Sequence, residues 1–328
     1  VIAPPSHVLV TGGAGFIGSH LVEALLREGH HVTVLDDLSA GTRENLADAF
    51  AFAPDRVRLV IGDVRLALAP QLPGDDAFGP VARIVHLAAQ VSVPASIAAP
   101  LADRATNLDG AFHVLDFARD QGVAKVVLAS SAAIYGDGAL PADEAALPDP
   151  ESPYGVHKIG AEHYARFFAK VHGVPSVNLR FFNVYGPRQS PTSGYAGVIS
   201  IFIAGAVSGA PLVIFGDGAQ TRDFIWVGDI VRAIGLSLFA GPTKGEALNV
   251  GTGAAITLNQ LAETIVRATS SVSTIEHGPP RVGDIVHSYA AVHRVHKRLG
   301  FKATMPSERG LALTAAWMQG GASSIWDV

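Results

Sequence analysis

Short apolar runs alternate with helix-patterned stretches along the first half of this chain. The runs are His7-Val-Leu-Val-Thr11, His31-Val-Thr-Val-Leu35, Val57-Arg-Leu-Val-Ile61, Ile84-Val-His-Leu-Ala-Ala89, Lys125-Val-Val-Leu-Ala-Ser-Ser131 and Val177-Asn-Leu-Arg-Phe-Phe182. Each is short enough for a buried strand and is bounded by glycine or polar turn residues. Helical patterns fill the gaps, for example Asn107 to Arg119 and Ser152 to Val171. Buried strands joined by helices imply parallel βαβ units, so the predicted class is α/β with a doubly wound parallel sheet. Beyond Gly186-Pro187 the alternation loosens, which predicts a smaller C-terminal α/β domain over the carboxyl ends of the strands. The expected division is 1–185, with strands returning from about 222–251, and 186–328, partly interleaved.

One stretch tests this reading. Gln189 to Gly216 carries no charge, and Val198-Ile-Ser-Ile-Phe-Ile-Ala is strongly apolar. Ser208-Gly-Ala-Pro211 interrupts it, and Leu212-Val-Ile-Phe215 follows as a strand bounded by Gly216-Asp-Gly218. A buried helix and a strand fit better than a spanning helix of about 20 unbroken apolar residues.

Composition narrows the function classes. A 328-residue chain of formal charge −5 has no lysine and arginine run, which argues against nucleic acid and anionic membranes as partners. It has no cysteine, so disulfides, thiolate catalysis and cysteine-ligated metals are excluded. Val1-Ile-Ala-Pro-Pro5 lacks the basic and long apolar regions of a secretory leader, and the expected location is cytoplasmic. His293-Arg-Val-His296 has no third ligand at useful spacing, so no metal is expected, and most of the thirteen histidines are expected at the surface.

The candidate chemistry begins in the first βα turn. Gly12, Gly13, Gly15 and Gly18 fall between a strand and a helix, where glycines let backbone N–H groups approach a pyrophosphate at the helix N-terminus. The next strand ends on Asp36-Asp37, about 20 residues on, where an acid binds an adenosine ribose diol. Two carboxylates there repel a 2′-phosphate, so NAD is favoured over NADP, with Arg43 the one nearby cation arguing otherwise. Further along, Tyr154 and Lys158 stand at i and i+4 on one helix face. A free tyrosine, with a pKa of roughly 10, is a poor base, and an ammonium one turn away is expected to lower that value. His157, between them, is expected to point off their face.

In order and spacing these residues resemble the extended short-chain dehydrogenases/reductases, specifically the nucleotide-sugar epimerase/dehydratase group. Further carriers are Gly62-Asp-Val64, His86-Leu-Ala-Ala89, Asn107, Ser130-Ser131, Arg180-Phe-Phe-Asn-Val-Tyr-Gly-Pro187, Arg222-Asp-Phe-Ile225 and Arg281-x-x-Asp284, covering about Val8 to Leu299. The resemblance implies a Rossmann-type sheet, tightly held NAD, a UDP-sugar substrate and a homodimer. It assigns cofactor binding to Gly12, Gly15, Phe16, Ile17, Gly18, Asp36, Asp37, Asp63, Val64, Leu87, Ala88, Ala89 and Asn107, with Tyr154 and Lys158. Catalysis would fall to Ser131, Tyr154 and Lys158: the tyrosine moves the C4 hydroxyl proton, the lysine holds the nicotinamide ribose, and the serine hydrogen-bonds the C4 oxygen.

The substrate end is read in the same way. The resemblance implies Asn183 and Val198 at the diphosphate or sugar, Arg222 and Arg281 as phosphate clamps, Val213 and Phe215 beside uracil, and Asp284 at the nucleotide ribose. Related dehydratases carry an Asp-Glu pair after the catalytic threonine, where this chain has Ala132-Ala133. Alanine cannot move a proton, and the chain ends without a decarboxylase-like extension, so a UDP-sugar 4-epimerase is the expected activity. Ser288 stands where a tyrosine narrows the pocket of glucose-restricted relatives and leaves room for a 2-acetamido group. Arg188 could pair with a C6 carboxylate, which keeps a UDP-glucuronate 4-epimerase open, as well as another NAD-dependent nucleotide-sugar epimerase or reductase. For the homodimer the only support among the residues is the apolar content of Leu108 to Phe117, which serves equally as core.

Overall fold

In the computed structural model, which describes residues 4–74, 77–191, 197–280, 286–321 and 325–326, the apolar runs become strands. In chain order these are β1 (His7–Thr11), β2 (His31–Asp36), β3 (Val57–Ile61), β4 (Arg83–His86), β5 (Lys125–Ser131) and β6 (Ser176–Phe181). Short strands follow: β7 (Asn183–Tyr185), β8 (Leu212–Phe215), β9 (Thr221–Arg222) and β10 (Phe224–Trp226). Then come β11 (Glu246–Val250), β12 (Ile256–Thr257), β13 (Ile275–Gly278) and β14 (His287–Ser288). The first helices are α1 (Phe16–Arg27), α2 (Ala47–Phe52), α3 (Val93–Ala98), α4 (Pro100–Arg104), α5 (Gly110–Asp120) and α6 (Pro153–Val171). The later ones are α7 (Val198–Ser208), α8 (Val227–Phe239), α9 (Leu258–Thr269), α10 (His293–Leu299) and α11 (Ser307–Met318).

Seven strands form one sheet in the order β11-β6-β5-β4-β1-β2-β3, and the pairings from β3 through β2, β1 and β4 to β5 are all parallel. This is a Rossmann-type doubly wound α/β sheet. Strand order reverses between β1 and β4, and such a switch point is where a crevice opens outside the strand ends. β4 stops at His86, short of the apolar run read to Ala89, because the chain there bends over the glycine turn. Leu87 N donates to Thr11 O at 3.0 Å, and a Cβ on Gly12 would meet Ala88 N at 2.6 Å. Fully buried Leu9, Leu35, Ile84, Val114, Leu115 and Val126 knit strands and helices into one core. Each such side chain contributes roughly 1.5–3 kcal/mol by leaving water.

By contacts the chain divides into two units, each assembled from separate segments. One comprises Val1–Ile134, Pro150–Arg180 and Val231–Leu248; the other comprises Tyr135–Asp149, Phe181–Ile230 and Asn249–Val328. The second holds the parallel pairs β7–β10 and β8–β13 and a three-stranded sheet, β12-β9-β14. Its helices α7, α9 and α11 pack on one another. The described part of the uncharged stretch holds α7, which buries one face with Ile199, Phe202, Ile203 and Ala206 and is stopped by Gly209 at φ +74°, and then β8. Among the described residues no helix is long and apolar enough to cross a membrane.

Candidate functional site

The glycine turn is built for close backbone approach. A Cβ on Gly18 would sit 2.2 Å from Gly12 O, and Gly12 itself has φ +70°. α1 then starts at Gly15 with no capping side chain and no acid in its first turn, at Phe16, Ile17 and Gly18. A helix end of this kind presents N–H groups and partial positive charge to an anion. Asp36, at the end of β2, accepts from Ala14 N and Leu38 N, both at 2.9 Å. Burial raises its pKa despite these bonds. Asp37 is exposed and accepts from Ser39 N and Oγ instead.

Asp63 is held by a residue the motif reading overlooked. Arg65 reaches it with Nε at 2.8 and 2.9 Å and Nη2 at 2.6 Å, which keeps the carboxyl below the usual range. Val64 is buried, and Leu87, Ala88 and Ala89 line the bend after β4, half-buried. Asn107 sits in a widened π-helical turn, Ala105–Asp109, rather than in the regular helix expected from Asn107 onward. Such turns recur at functional sites. Its Nδ2 donates to Gln90 O and Asp103 Oδ1, while its buried Oδ1 has no partner. An uncapped helix end, a strand-end carboxylate and an orphan amide oxygen are a donor and acceptor set that fits a dinucleotide's diphosphate and ribose hydroxyls.

The three catalytic candidates come together in the same unit. Ser131 is the last residue of β5, and Ser152 Oγ caps α6 by accepting from Gly155 N at 3.2 Å. Gly155 lets the first turn of α6 lie against the backbone beyond β5, since a Cβ there would be 2.7 Å from Ala133 O. That contact brings the Tyr154 hydroxyl to Ser131, whose Oγ accepts from Ala133 N at 3.1 Å. Lys158 Nζ lies 5.7 Å from the Tyr154 ring centroid and donates to Ala129 O at 3.2 Å.

The electrostatics overturn one expectation. Burial pushes the Tyr154 phenol up to about 12, while the Ser131 hydrogen bond acts the other way and Asp103 adds to the rise. The lysine does not lower it, because enclosing a phenolate in low dielectric outweighs a cation that is itself desolvated. Lys158 is pushed down to about 8 by the same burial, against Asp103. His7, His20, His30 and His86 are buried, and His157 reaches Asp103 with Nδ1 2.5 Å from Oδ2. His86 lies under the turn with Nδ1 2.7 Å from Thr11 Oγ1, and burial followed by Lys158 lowers it to about 3.

Behind Ser131, Ser130 Oγ donates to Glu162 Oε1, which with Oε2 accepts Arg180 Nε and Nη2 at 2.9 and 2.7 Å. All three are buried. Spacing offered one signal for Glu162, four residues after Lys158, but none for its partner on β6.

In the second unit, Asn183 donates N and Nδ2 to Asp223 O at 3.0 and 3.2 Å. Asp223, missed by the sequence reading beyond its place in a motif, is fully buried and accepts from Thr252 N and Oγ1, Gly253 N and Ala290 N. Arg222 and Ser288 are register partners on β9 and β14. Val213 and Phe215 alternate with buried Leu212 and Ile214, so they share the outward face of β8. Val198 opens α7, and Arg188 is buried with φ +67°, a conformation rare for a residue with a Cβ. Arg281 and Asp284 lie outside the described residues.

The model of the NAD dependent epimerase/dehydratase family matches residues 8–251. A UDP-glucose 4-epimerase of Mycolicibacterium smegmatis is 38% identical over 319 residues, 95% of this chain and 98% of that protein. Among solved structures, UDP-glucose 4-epimerase of Thermotoga maritima with UDP-glucose has a TM-score of 0.87 at 36% identity, covering 96% of this chain and 99% of that one. UDP-N-acetylglucosamine 4-epimerase of Methanobrevibacter ruminantium, in complex with UDP-N-acetylmuramic acid, gives 0.89 at 35% identity, covering 97% and 99%.

Proposed function

The chain belongs to the NAD-dependent epimerase/dehydratase family, and from that premise we propose that it is an NAD-dependent UDP-sugar 4-epimerase. The observation that carries this reading is the half-buried Ser131 beside buried Tyr154 and Lys158, with Ala132 and Ala133 directly after the serine. Those two side chains hold no proton for expelling a C6 hydroxyl.

NAD would be held by the α1 N-terminus at Gly15 to Gly18, by Asp36 and by Asn107, with Asp37, Asp63, Val64 and Leu87 to Ala89 around the adenosine and the bend. When bound, it supplies the reversible oxidation at C4. The chain's own residues do the rest. Tyr154 Oη would take the C4 hydroxyl proton as the phenolate and return it as the phenol; burial works against that phenolate and the Ser131 hydroxyl works for it. Ser131 steadies charge on the C4 oxygen, and Lys158 supplies the fixed cation beside them. In the other unit, Arg222 with Arg281 would bind the diphosphate, Asn183 and Val198 would add polar contacts, Val213 and Phe215 would flank uracil, and Asp284 would take the ribose. The small Ser288 beside Arg222 supports acceptance of N-acetyl sugars, and Arg188 is the residue for a C6 carboxylate.

The same reading includes a cytoplasmic homodimer. Phe112, Tyr164 and Phe167 are exposed side by side on α5 and α6, with Phe112 5.3 Å from Tyr164 in an edge contact. By contrast Val114, Leu115 and Phe117 of the same apolar stretch are core.

The test uses purified protein without added NAD, incubated separately with UDP-glucose, UDP-N-acetylglucosamine and UDP-glucuronate, with products read by proton NMR of the anomeric and H4 signals. A C4 epimer is expected, and Tyr154→Phe should lower kcat by about 10²–10⁴-fold. No epimer after NAD is added, or a 6-deoxy or decarboxylated product, would overturn the proposal.

A further inference from the structure

Asp103 is a buried carboxylate on α4 that the mechanism above does not use. It collects donors from three directions. Gln90 Nε2 donates to Oδ1 at 2.7 Å and Asn107 Nδ2 to the same oxygen at 2.9 Å. His157 Nδ1 donates to Oδ2 at 2.5 Å from α6, one residue before Lys158. Gln90 is itself fixed, donating Nε2 to Ser92 O and accepting from Ser92 N. One carboxylate therefore joins the bend after β4, the π-helical turn that carries Asn107, and the helix that carries Tyr154 and Lys158.

We propose that Asp103, tethered by His157, is a positioning residue for the Tyr154–Lys158 pair: it docks α6 onto the Asn107 turn and is the buried counter-charge to the Lys158 ammonium. The proposal rests on the assignment of Lys158 as the fixed cation of the epimerase site. Among the described residues, groups near Lys158 come from four elements. Tyr154 and His157 share its helix, His86 comes from β4, the Ala129 carbonyl from β5, and Asp103 from α4. Burial drives the ammonium down to about 8, and Asp103 is the group that acts against this. His86, at about 3, offers no charge of its own near neutrality. The same carboxylate disfavours a phenolate at Tyr154, and the Ser131 hydroxyl is the counterweight. The arrangement thus favours a charged lysine over an early phenolate.

The chain has six lysines, so ¹³Cε-lysine labelling with Lys158→Arg as the assignment control allows Lys158 to be titrated directly by NMR. In Asp103→Asn the midpoint should fall by about one pH unit, and the basic limb of the kcat profile should move with it. An unmoved midpoint overturns the counter-charge. His157→Leu, at a half-buried position, removes the tether without touching the carboxylate. It should lower kcat about tenfold at unchanged KM, and His157→Gln, which keeps a donor, should restore it to within about threefold. Full activity in the Leu variant, or a loss that Gln does not restore, overturns the tether, and this pair decides the matter if Asp103→Asn does not fold. Wild-type turnover is read first: its absence refutes the epimerase assignment, while the lysine titration is independent of any sugar.

Discussion

At the scale of single residues, burial decides more here than charge pairing does. Tyr154, Lys158 and His86 are all displaced toward their neutral forms, because each would carry its charge in an enclosed seat. For His86 this has a consequence for stability. Its folded pKa is about 3 against 6.5 in the unfolded chain, so between these values the unfolded state binds a proton that the folded state refuses. The stabilisation is complete above pH 6.5 and is lost as pH falls toward 3, roughly 4–5 kcal/mol at the lower end. Thermal unfolding from pH 7 to pH 4 should therefore show a steeper acid loss in wild type than in His86→Gln. Parallel curves would mean that His86 is reached by water.

At the scale of elements, the catalytic geometry depends on how closely α6 approaches the end of β5. Helix propensity alone would make Gly155→Ala stabilising by about 1 kcal/mol. The contact decides otherwise, since the added Cβ would stand 2.7 Å from the Ala133 carbonyl and 2.8 Å from Pro150 Cβ. Neither is the end of a flexible side chain, so the first turn of α6 must move and take Tyr154 away from Ser131. The expected outcome is a fall in kcat of about 100-fold with no rise in melting temperature. A more stable, fully active variant would show that the helix has room. The glycine turn obeys the same rule. Gly18→Ala would place a methyl 2.2 Å from Gly12 O and should release NAD, measured as loss of co-purified cofactor absorbance.

At the scale of the whole molecule, α5 and α6 expose an aromatic face among the described residues. Phe167 is 48% exposed and Val171, at the end of the same helix, 57%, which is an unusual use of large apolar side chains on a chain of net charge −5. In the proposed homodimer this face is covered. Light scattering should give twice the chain mass for wild type and the chain mass for a Phe112→Glu/Phe167→Glu double variant. A wild-type monomer would leave the patch unexplained and the homodimer refuted.

Local rules carried much of this protein, and the reason is physical. Strand-sized apolar runs, a glycine turn followed by an acid, and a tyrosine one helical turn from a lysine are constraints between near neighbours, legible without coordinates. The α/β class, β1 to β3, the glycine turn and the extent of α6 could be read that way. What depends on contacts between distant segments could not. Arg180 meets Glu162 across 18 positions, His157 meets Asp103 across 54, and Asp223 gathers Thr252 across 29 and Ala290 across 67. Nor could the direction of the Tyr154 shift be read from spacing, because i and i+4 report a neighbouring cation but not the enclosure around both groups. Sequence determined which chemistry the residues can perform; the tertiary structure decided which charges that chemistry must work against, because desolvation exists only once distant segments have closed around a side chain.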